Sequence, residues 1–261
     1  MKKKYELIPS DKAGLFRIKA LKDFSFVKVG DIGGFVSGEH NLSHDDFCWI
    51  HHDAIVSGNA QVSGDARVYD NARVSGSARV SNFAQVYDNA IVSGSARVSG
   101  SAQVSDCARV SGCAHVFDDA RVYDSAQVFG IAQVYGSARV SGSAHVFDDA
   151  RVYDSAQVFG IAQVFGIAQV SGSAQVSGNA KIYSGTIKFT NDYMTIGPIG
   201  SRQDYTTFFK DKDNIMVSCG CYKGTIQEFE TRVKENHQNN MYAKEYIAAI
   251  NYIKYVIEQR N

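Results

Sequence analysis

From Ile50 to Ile182 the chain repeats one pattern of apolar and polar positions every six residues. A β-branched aliphatic residue stands at each sixth position, from Ile50 through Val56, Val62 and Val68 to Val176 and Ile182, without a miss. Two residues before each stands Ala, from Ala54 to Ala180, with Cys48 in that slot before Ile50. That separation puts Ala and Val on one face of an extended strand and the residue between them, mostly Arg or Gln, on the other. Two residues after each Val, at positions 58 to 178, stand thirteen glycines, seven aspartates and Asn82. These residue types enter the left-handed backbone region at least cost, so each strand is predicted to end there in a corner. Such a unit of strand and corner is a repeat architecture. Three units close a triangular coil, and roughly 7.5 coils at the usual strand spacing of about 4.8 Å make a prism about 36 Å long.

The motif, as in "VSGNAQ", has an aliphatic residue followed four places later by a small one, and it resembles the hexapeptide-repeat family of left-handed parallel β-helices. The left hand follows from that resemblance, since ordinary parallel crossovers are right-handed. The expected fold is an all-β repeat, a left-handed parallel β-helix over residues 50–185, with an N-terminal β cap at 1–49 and a small C-terminal α+β domain at 186–261. In the amino-terminal cap the order of "DF", "VKVGDIGGFV", "NLS" and "CWI" resembles the leader of uncharacterised hexapeptide-repeat proteins of bacteria and their prophages. The stretches "IGPIGSRQDYTTFF" and "SCGCYKGTIQEFE" resemble the tail of the same proteins.

In that tail Thr225 and Glu228 have the spacing of a capping box, and Ile226, Phe229 and Val233 mark the apolar face of the helix it opens. "MYAKEYIAAINYIKYVIE" reads as a second helix, with Tyr246, Ile250, Ile253 and Ile257 in line. Two helices on a small sheet would cover one raw end of the β-helix or serve as an interaction module.

"HVFDDARVYDSAQVFGIAQV" occurs at residues 115–134 and again at 145–164. The offset is five six-residue units, which is not a whole number of coils, so the second copy is predicted to lie two faces round the prism from the first. His115 and His145 then point in different directions, as do Arg121 and Arg151. A catalytic constellation needs one fixed geometry. A segment copied onto another face reads as a spacer or a wall.

The residue after each Val points outward. Every third unit falls on the same face, which stacks Phe129, Phe147, Phe165 and Tyr183 on one face and Phe117, Tyr135 and Tyr153 on the next. Tyr69, Tyr87, Tyr123 and Phe159 line the third less regularly. These ladders are the candidate binding surface, because a long exposed apolar strip marks a contact site. Ile131 and Ile167 extend the first of them. Stacking of neighbours and cover by the tail helices are the alternatives to a partner.

Charge changes the picture by exclusion. The 27 basic and 27 acidic residues balance, and residues 1–49, 50–185 and 186–261 carry about +1, −2 and +1, so no segment has the positive field of a nucleic-acid binder. The start "MKKKYELIPS" is followed by no apolar run of signal-peptide length and no membrane span is visible, which makes a cytoplasmic protein the expectation. Five cysteines without a secretion signal favour free thiols. Alternation would put Cys219 and Cys221 on one strand face as half a tetrahedral zinc shell, with His237 the third ligand within reach, but ordinary buried cysteines are the simpler reading. His40, His44, His51 and His52 cluster in the amino-terminal cap with Asp45, Asp46 and Asp53. They could bind a metal or supply a base, though polar loop chemistry also explains them.

The hexapeptide-repeat resemblance also implies an alternative, an acyltransferase using coenzyme A thioesters. Those enzymes hold a catalytic histidine near a loop that bulges from the prism, between subunits of a trimer. Here no insertion breaks the register from Ile50 to Ile182, and His115 and His145 sit at slots otherwise held by Arg and Gln. The expectation is therefore a non-catalytic rod with no cofactor, a structural or protein-binding element. It would self-associate as a homo-oligomer or capture a protein partner through its aromatic face, for example as a phage-encoded effector acting on a host protein.

Overall fold

The computed structural model describes residues 3–258, with side chains described through Val256; of the helix line above, the Ile257 side chain lies outside these. Each six-residue unit contributes a two-residue strand. Arg67–Val68 pairs in parallel with Gln85–Val86, Arg73–Val74 with Ile91–Val92, and Gln61–Val62 with Arg79–Val80, all at a spacing of one coil. Three parallel sheets form the faces of a β-solenoid. The first face runs from Ile55–Val56 to Lys181–Ile182, the second from Gln61–Val62 to Thr186–Ile187, and the third from Trp49–Ile50 to Gln175–Val176. Two faces have eight strands each, and the first runs on into the amino-terminal cap.

The inward Ala and Val columns are fully buried along the whole rod. At the corners every residue from position 58 to 178 in the turn register has positive φ, Asp as well as Gly. Aspartate adds something glycine cannot. The carboxylate of Asp88 accepts from the Asp106 amide at 3.3 Å, Asp106 from Asp124 at 3.2 Å, and Asp124 from Gly142 at 2.9 Å. Six of the seven corner aspartates, Asp70 excepted, thus bind a corner amide one coil further on, where the turned backbone would otherwise leave that donor to water.

The main-chain bonds between coils that flank the strands and close the corners run one way. Gln61 N donates to Ala78 O at 2.9 Å, Ser63 N to Val80 O at 3.0 Å and, at the corner, Ser77 N to Gly94 O at 2.7 Å. The first coil is therefore left mainly with free carbonyls and the last mainly with free amides.

At the amino-terminal end the coiling starts inside the cap. Phe35–Val36 pairs in parallel with Ile55–Val56, Leu42 bridges Val62, and Trp49–Ile50 pairs with Arg67–Val68. Strands Tyr5–Pro9 and Phe16–Ala20 extend this edge in antiparallel fashion. The chain crosses so close at Gly34 that a Cβ there would stand 2.5 Å from Ile50 Cγ2 and 2.6 Å from Ala54 O. The free carbonyls meet donors. Asn41 Nδ2 donates to Gly58 O at 3.0 Å and to Ala60 O at 2.8 Å, while its Oδ1 accepts from the Ser37 and Gly38 amides. The buried Lys4 ammonium donates to Cys48 O at 2.9 Å and Asp45 O at 3.2 Å.

At the other end the free amides meet acceptors. Gln175 N donates to Thr190 Oγ1, Ser177 N to Tyr193 Oη and Lys181 N to Thr207 Oγ1, at 3.1, 3.0 and 3.0 Å. The last rung, Thr186–Ile187, comes one residue early after Gly185 and still pairs with Gln169–Val170. The tail is an antiparallel sheet of Tyr193–Ile199, Asp204–Asp211, Asn214–Cys219 and Tyr222–Thr225, backed by helices α1 (Ile226–His237) and α2 (Met241–Glu258). Thr225 and Glu228 form the capping box, with bonds of 3.2 and 2.8 Å. Phe209 enters the end of the rod's core, whereas Phe208, on the opposite sheet face, packs with Phe229, Tyr246 and Ile250 in a second core. No described helix is long and apolar enough to cross a membrane.

Two outcomes follow. Val128→Asp would bury a carboxylate among Ala and Val side chains that offer it no partner, and is expected to abolish the β-sheet circular dichroism signal or leave the protein insoluble. Asn41→Leu would strip partners from two carbonyls and two amides, at a cost of at least about 2 kcal/mol, read as a lowered melting temperature with the fold retained.

Candidate functional site

On the first face Phe129 and Phe147 lie with ring centroids 4.9 Å apart and planes 1° from parallel, and Phe147 and Phe165 follow at 5.0 Å and 6°. On the second face Phe117, Tyr135 and Tyr153 stack at 4.8 and 5.1 Å. On the third, Tyr69 and Tyr87 stack at 4.9 Å, after which Ser105 and Ser141 alternate with Tyr123 and Phe159. The rung spacing is itself a favourable ring-stacking distance, so one rotamer repeated up the column stacks every ring.

Stacking of neighbours, one of the alternatives to a partner, thus supplies part of the cover of these ladders. Phe129, Phe147, Phe117, Tyr135 and Tyr153 are half-buried because each ring covers its neighbours. At the top of the first face the tail supplies the cover. Phe165 is only 8% exposed, with the Lys223 ammonium 4.2 Å above its ring. Tyr183 tilts 46° out of the stack, sets its edge on Phe209 at 5.1 Å and donates its hydroxyl to Gly224 O. Burial raises that phenol to about 12. Among the large apolar side chains left in water are Ile131 and Ile167, 57% and 67% exposed at the corner between the first and second faces, with Phe83 and Ile161 at the other two corners. Ile131 and Ile167 flank a trough of about 480 Å³ that is floored by His115, Gln133, Arg151 and Gln169.

The duplicated segments lie on different faces, as their offset requires. His115 is on the second face and His145 on the first, Arg121 on the third and Arg151 on the second. The amino-terminal histidines are used separately. His40 Nε2 bonds Gly58 O at 2.7 Å, His44 stacks on Tyr5 at 4.2 Å and accepts from the Lys4 amide, and His52 contacts Asp70 at 3.1 Å. Among the described residues no three of His, Cys, Asp and Glu converge on a common point.

Cys219 ends its strand, and a turn at Gly220 with φ +57° separates it from the exposed Cys221, so strict alternation does not carry across the pair. Both cysteines nevertheless border a cavity of about 260 Å³ between sheet and helices, with Arg202, Arg232, His237 and Tyr246. The Cys219 thiol accepts from Thr206 Oγ1 at 3.2 Å and lies 3.8 Å from the Tyr246 hydroxyl, whose pKa is pushed up by burial and by that thiol. Sequence reasoning missed this cavity because its walls come from four elements far apart in the chain; only "SCGC" and the helix line pointed towards it.

Burial, with the charges of His52 and Arg67 beside it, pushes the His51 imidazole down to about 4, and burial lowers His44 as well. The unfolded chain protonates His51 near its ordinary 6.5 while the folded one resists until about 4. Stability from this cap is therefore full above 6.5 and is lost as pH falls towards 4. Melting temperatures measured across that range should fall, and His51→Gln should flatten the slope.

Three stretches of the rod, residues 66–82, 84–100 and 132–147, match the model of the YdcK β-solenoid repeat. No curated protein matches the chain. With the stacked parallel coils on which those stretches lie, the match identifies a repeat β-helix protein that is similar over part of its rod to the YdcK solenoid repeat.

Proposed function

We propose that this chain is a non-catalytic β-solenoid that binds another protein, or a second copy of itself, along the corner between its first and second faces. The observation that supports this most is the pair of exposed isoleucines, Ile131 and Ile167, set beside two aromatic stacks on a face with no loop in the way. An apolar strip with a polar floor has the make-up of a contact surface. The scaffold beneath it is held by bonds at every rung, so little order is lost on binding. All five cysteines are free thiols, which suits the reducing cytoplasm. The likeness to prophage-encoded proteins suggests a host protein as the partner. The unbroken register gives a thioester cofactor no wall to lie against, which is why the acyltransferase reading takes second place.

Ile131→Ser with Ile167→Ser removes exposed side chains only, and the folded signal and melting temperature should not change. Light scattering on the purified chain, and quantitative capture of a partner, should show association weakened about tenfold or more. Phe129→Ser with Phe147→Ser should do the same with a small loss of stability. Unchanged association in both double variants, or micromolar binding of coenzyme A by calorimetry, would overturn the reading.

A further inference from the structure

The third face carries a gap in its ring column. Tyr69 and Tyr87 stack at 4.9 Å, but the next rung holds Ser105 and the one above it Tyr123. Where every rung carries a ring, as from Phe117 to Tyr153 or from Phe129 to Phe165, neighbouring centroids lie 4.8–5.1 Å apart with planes within 6° of parallel. One empty rung therefore separates Tyr87 from Tyr123 by two strand spacings, about 9.6 Å. That leaves room for one flat ring at the stacking distance the rod uses elsewhere.

The gap is a real cavity of about 240 Å³, walled by Tyr87 and Tyr123 and bordered by Gln103, Asp106, Arg121 and Arg139. Ser105 lies at its floor, 6% exposed, and donates its hydroxyl to the Asp106 carboxylate at 3.1 Å. That carboxylate also accepts from the Asp124 amide, so its charge is engaged in the corner. Arg121 and Arg139 are direct rung neighbours, both exposed, and neither joins an ion pair among the described residues. Two like charges side by side on a sheet repel, and an anion between them reverses the sign. The volume falls below the range of about 300–1,000 Å³ usual for larger ligands, which suits a single ring with one charged group.

We infer that the gap at Ser105 is a binding slot for a small molecule made of one aromatic ring bearing an anionic group. The ring enters between Tyr87 and Tyr123, and the anion is held by Arg121 and Arg139. Gln103 offers its amide to a polar substituent on the ring.

Phenyl phosphate is the probe, with phenol as its uncharged counterpart, both followed by ligand-observed NMR and calorimetry on the full chain. Phenyl phosphate should bind the native protein, and phenol about tenfold or more weakly. Ser105→Tyr fills the empty rung with the side chain the column uses on either side. It should leave the melting temperature unchanged or raised and abolish binding. Arg121→Gln with Arg139→Gln, which places in these slots a residue the same column already uses, should reduce phenyl phosphate binding to the level of phenol. Absence of binding to the native chain, or binding undiminished in folded Ser105→Tyr, would overturn the assignment. Equal affinity for the two probes would overturn the part given to the arginines.

Discussion

Where they flank the strands and turn the corners, the main-chain bonds between coils point from an N–H to a carbonyl one coil later, and the two ends of the rod are arranged around that polarity. A stack of this kind cannot end symmetrically. One end presents mainly carbonyls and the other mainly amides, each costly to leave unpaired where water is excluded. The two caps differ in chemistry for that reason. The amino-terminal cap brings donors, the Asn41 amide, the Lys4 ammonium and the His40 ring. The carboxyl-terminal tail brings hydroxyl oxygens, from Thr190, Tyr193 and Thr207. Exchanging the caps would set donors against donors. The buried Lys4 shows how strong the demand is: burial lowers its pKa, and the described hydrogen bonds of its ammonium go to the Asp45, Asp46 and Cys48 carbonyls and the Cys48 sulfur.

The same ladder determines what the surface can do. Because each outward residue lies directly over the one a coil before it, a surface feature is a column and a binding site is a local change of residue within a column. Continuous rings give a strip whose members bury one another, as Phe129 and Phe147 do. A single small residue in such a column gives a slot, as Ser105 does between Tyr87 and Tyr123. Large residues at the corner give a rim, as Ile131 and Ile167 do beside the second face. None of these needs an inserted loop, so the absence of loops between Ile50 and Ile182 restricts deep pockets more than it restricts recognition.

The rod was legible in the sequence because its periodicity is set by short-range rules. Val and Ala two apart face inward, and Gly, Asp or Asn accepts the corner. The ring columns followed from the same arithmetic. The exposure of those columns did not, since it depends on how far each ring shades the next and on where the tail lays Lys223 and Phe209. The corner aspartates were read as turn formers, yet their bonds to the amides of the next coil require the coils to be stacked first. The first coil was hidden in the cap because Val36 and Leu42 are six residues apart but Leu42 and Ile50 are eight, which breaks the spacing before the regular run begins. The tail cavity was out of reach for a different cause: Arg202, Cys219, Arg232 and Tyr246 meet only through the packing of sheet and helices.

The duplication gains a meaning once the columns are visible. The first copy carries aromatic residues six apart, at Phe117, Tyr123 and Phe129, with Tyr135 just beyond it, and these lie on successive faces. Copying the segment on by five units moves each of them two faces round and two coils or one coil up. The copy of Phe117 is Phe147, which lands directly above Phe129, and the copy of Tyr123 is Tyr153, which lands directly above Tyr135. Rings that were neighbours round the prism become neighbours along it. A copy offset by one whole coil would instead have set each ring over its own original, face by face, whereas this offset sets Phe147 over Phe129 and Tyr153 over Tyr135. The repeat is thus more than a spacer. Its offset converts a turn of scattered aromatics into two continuous stacks, and it does so without disturbing the inward Ala and Val, which look the same from all three faces.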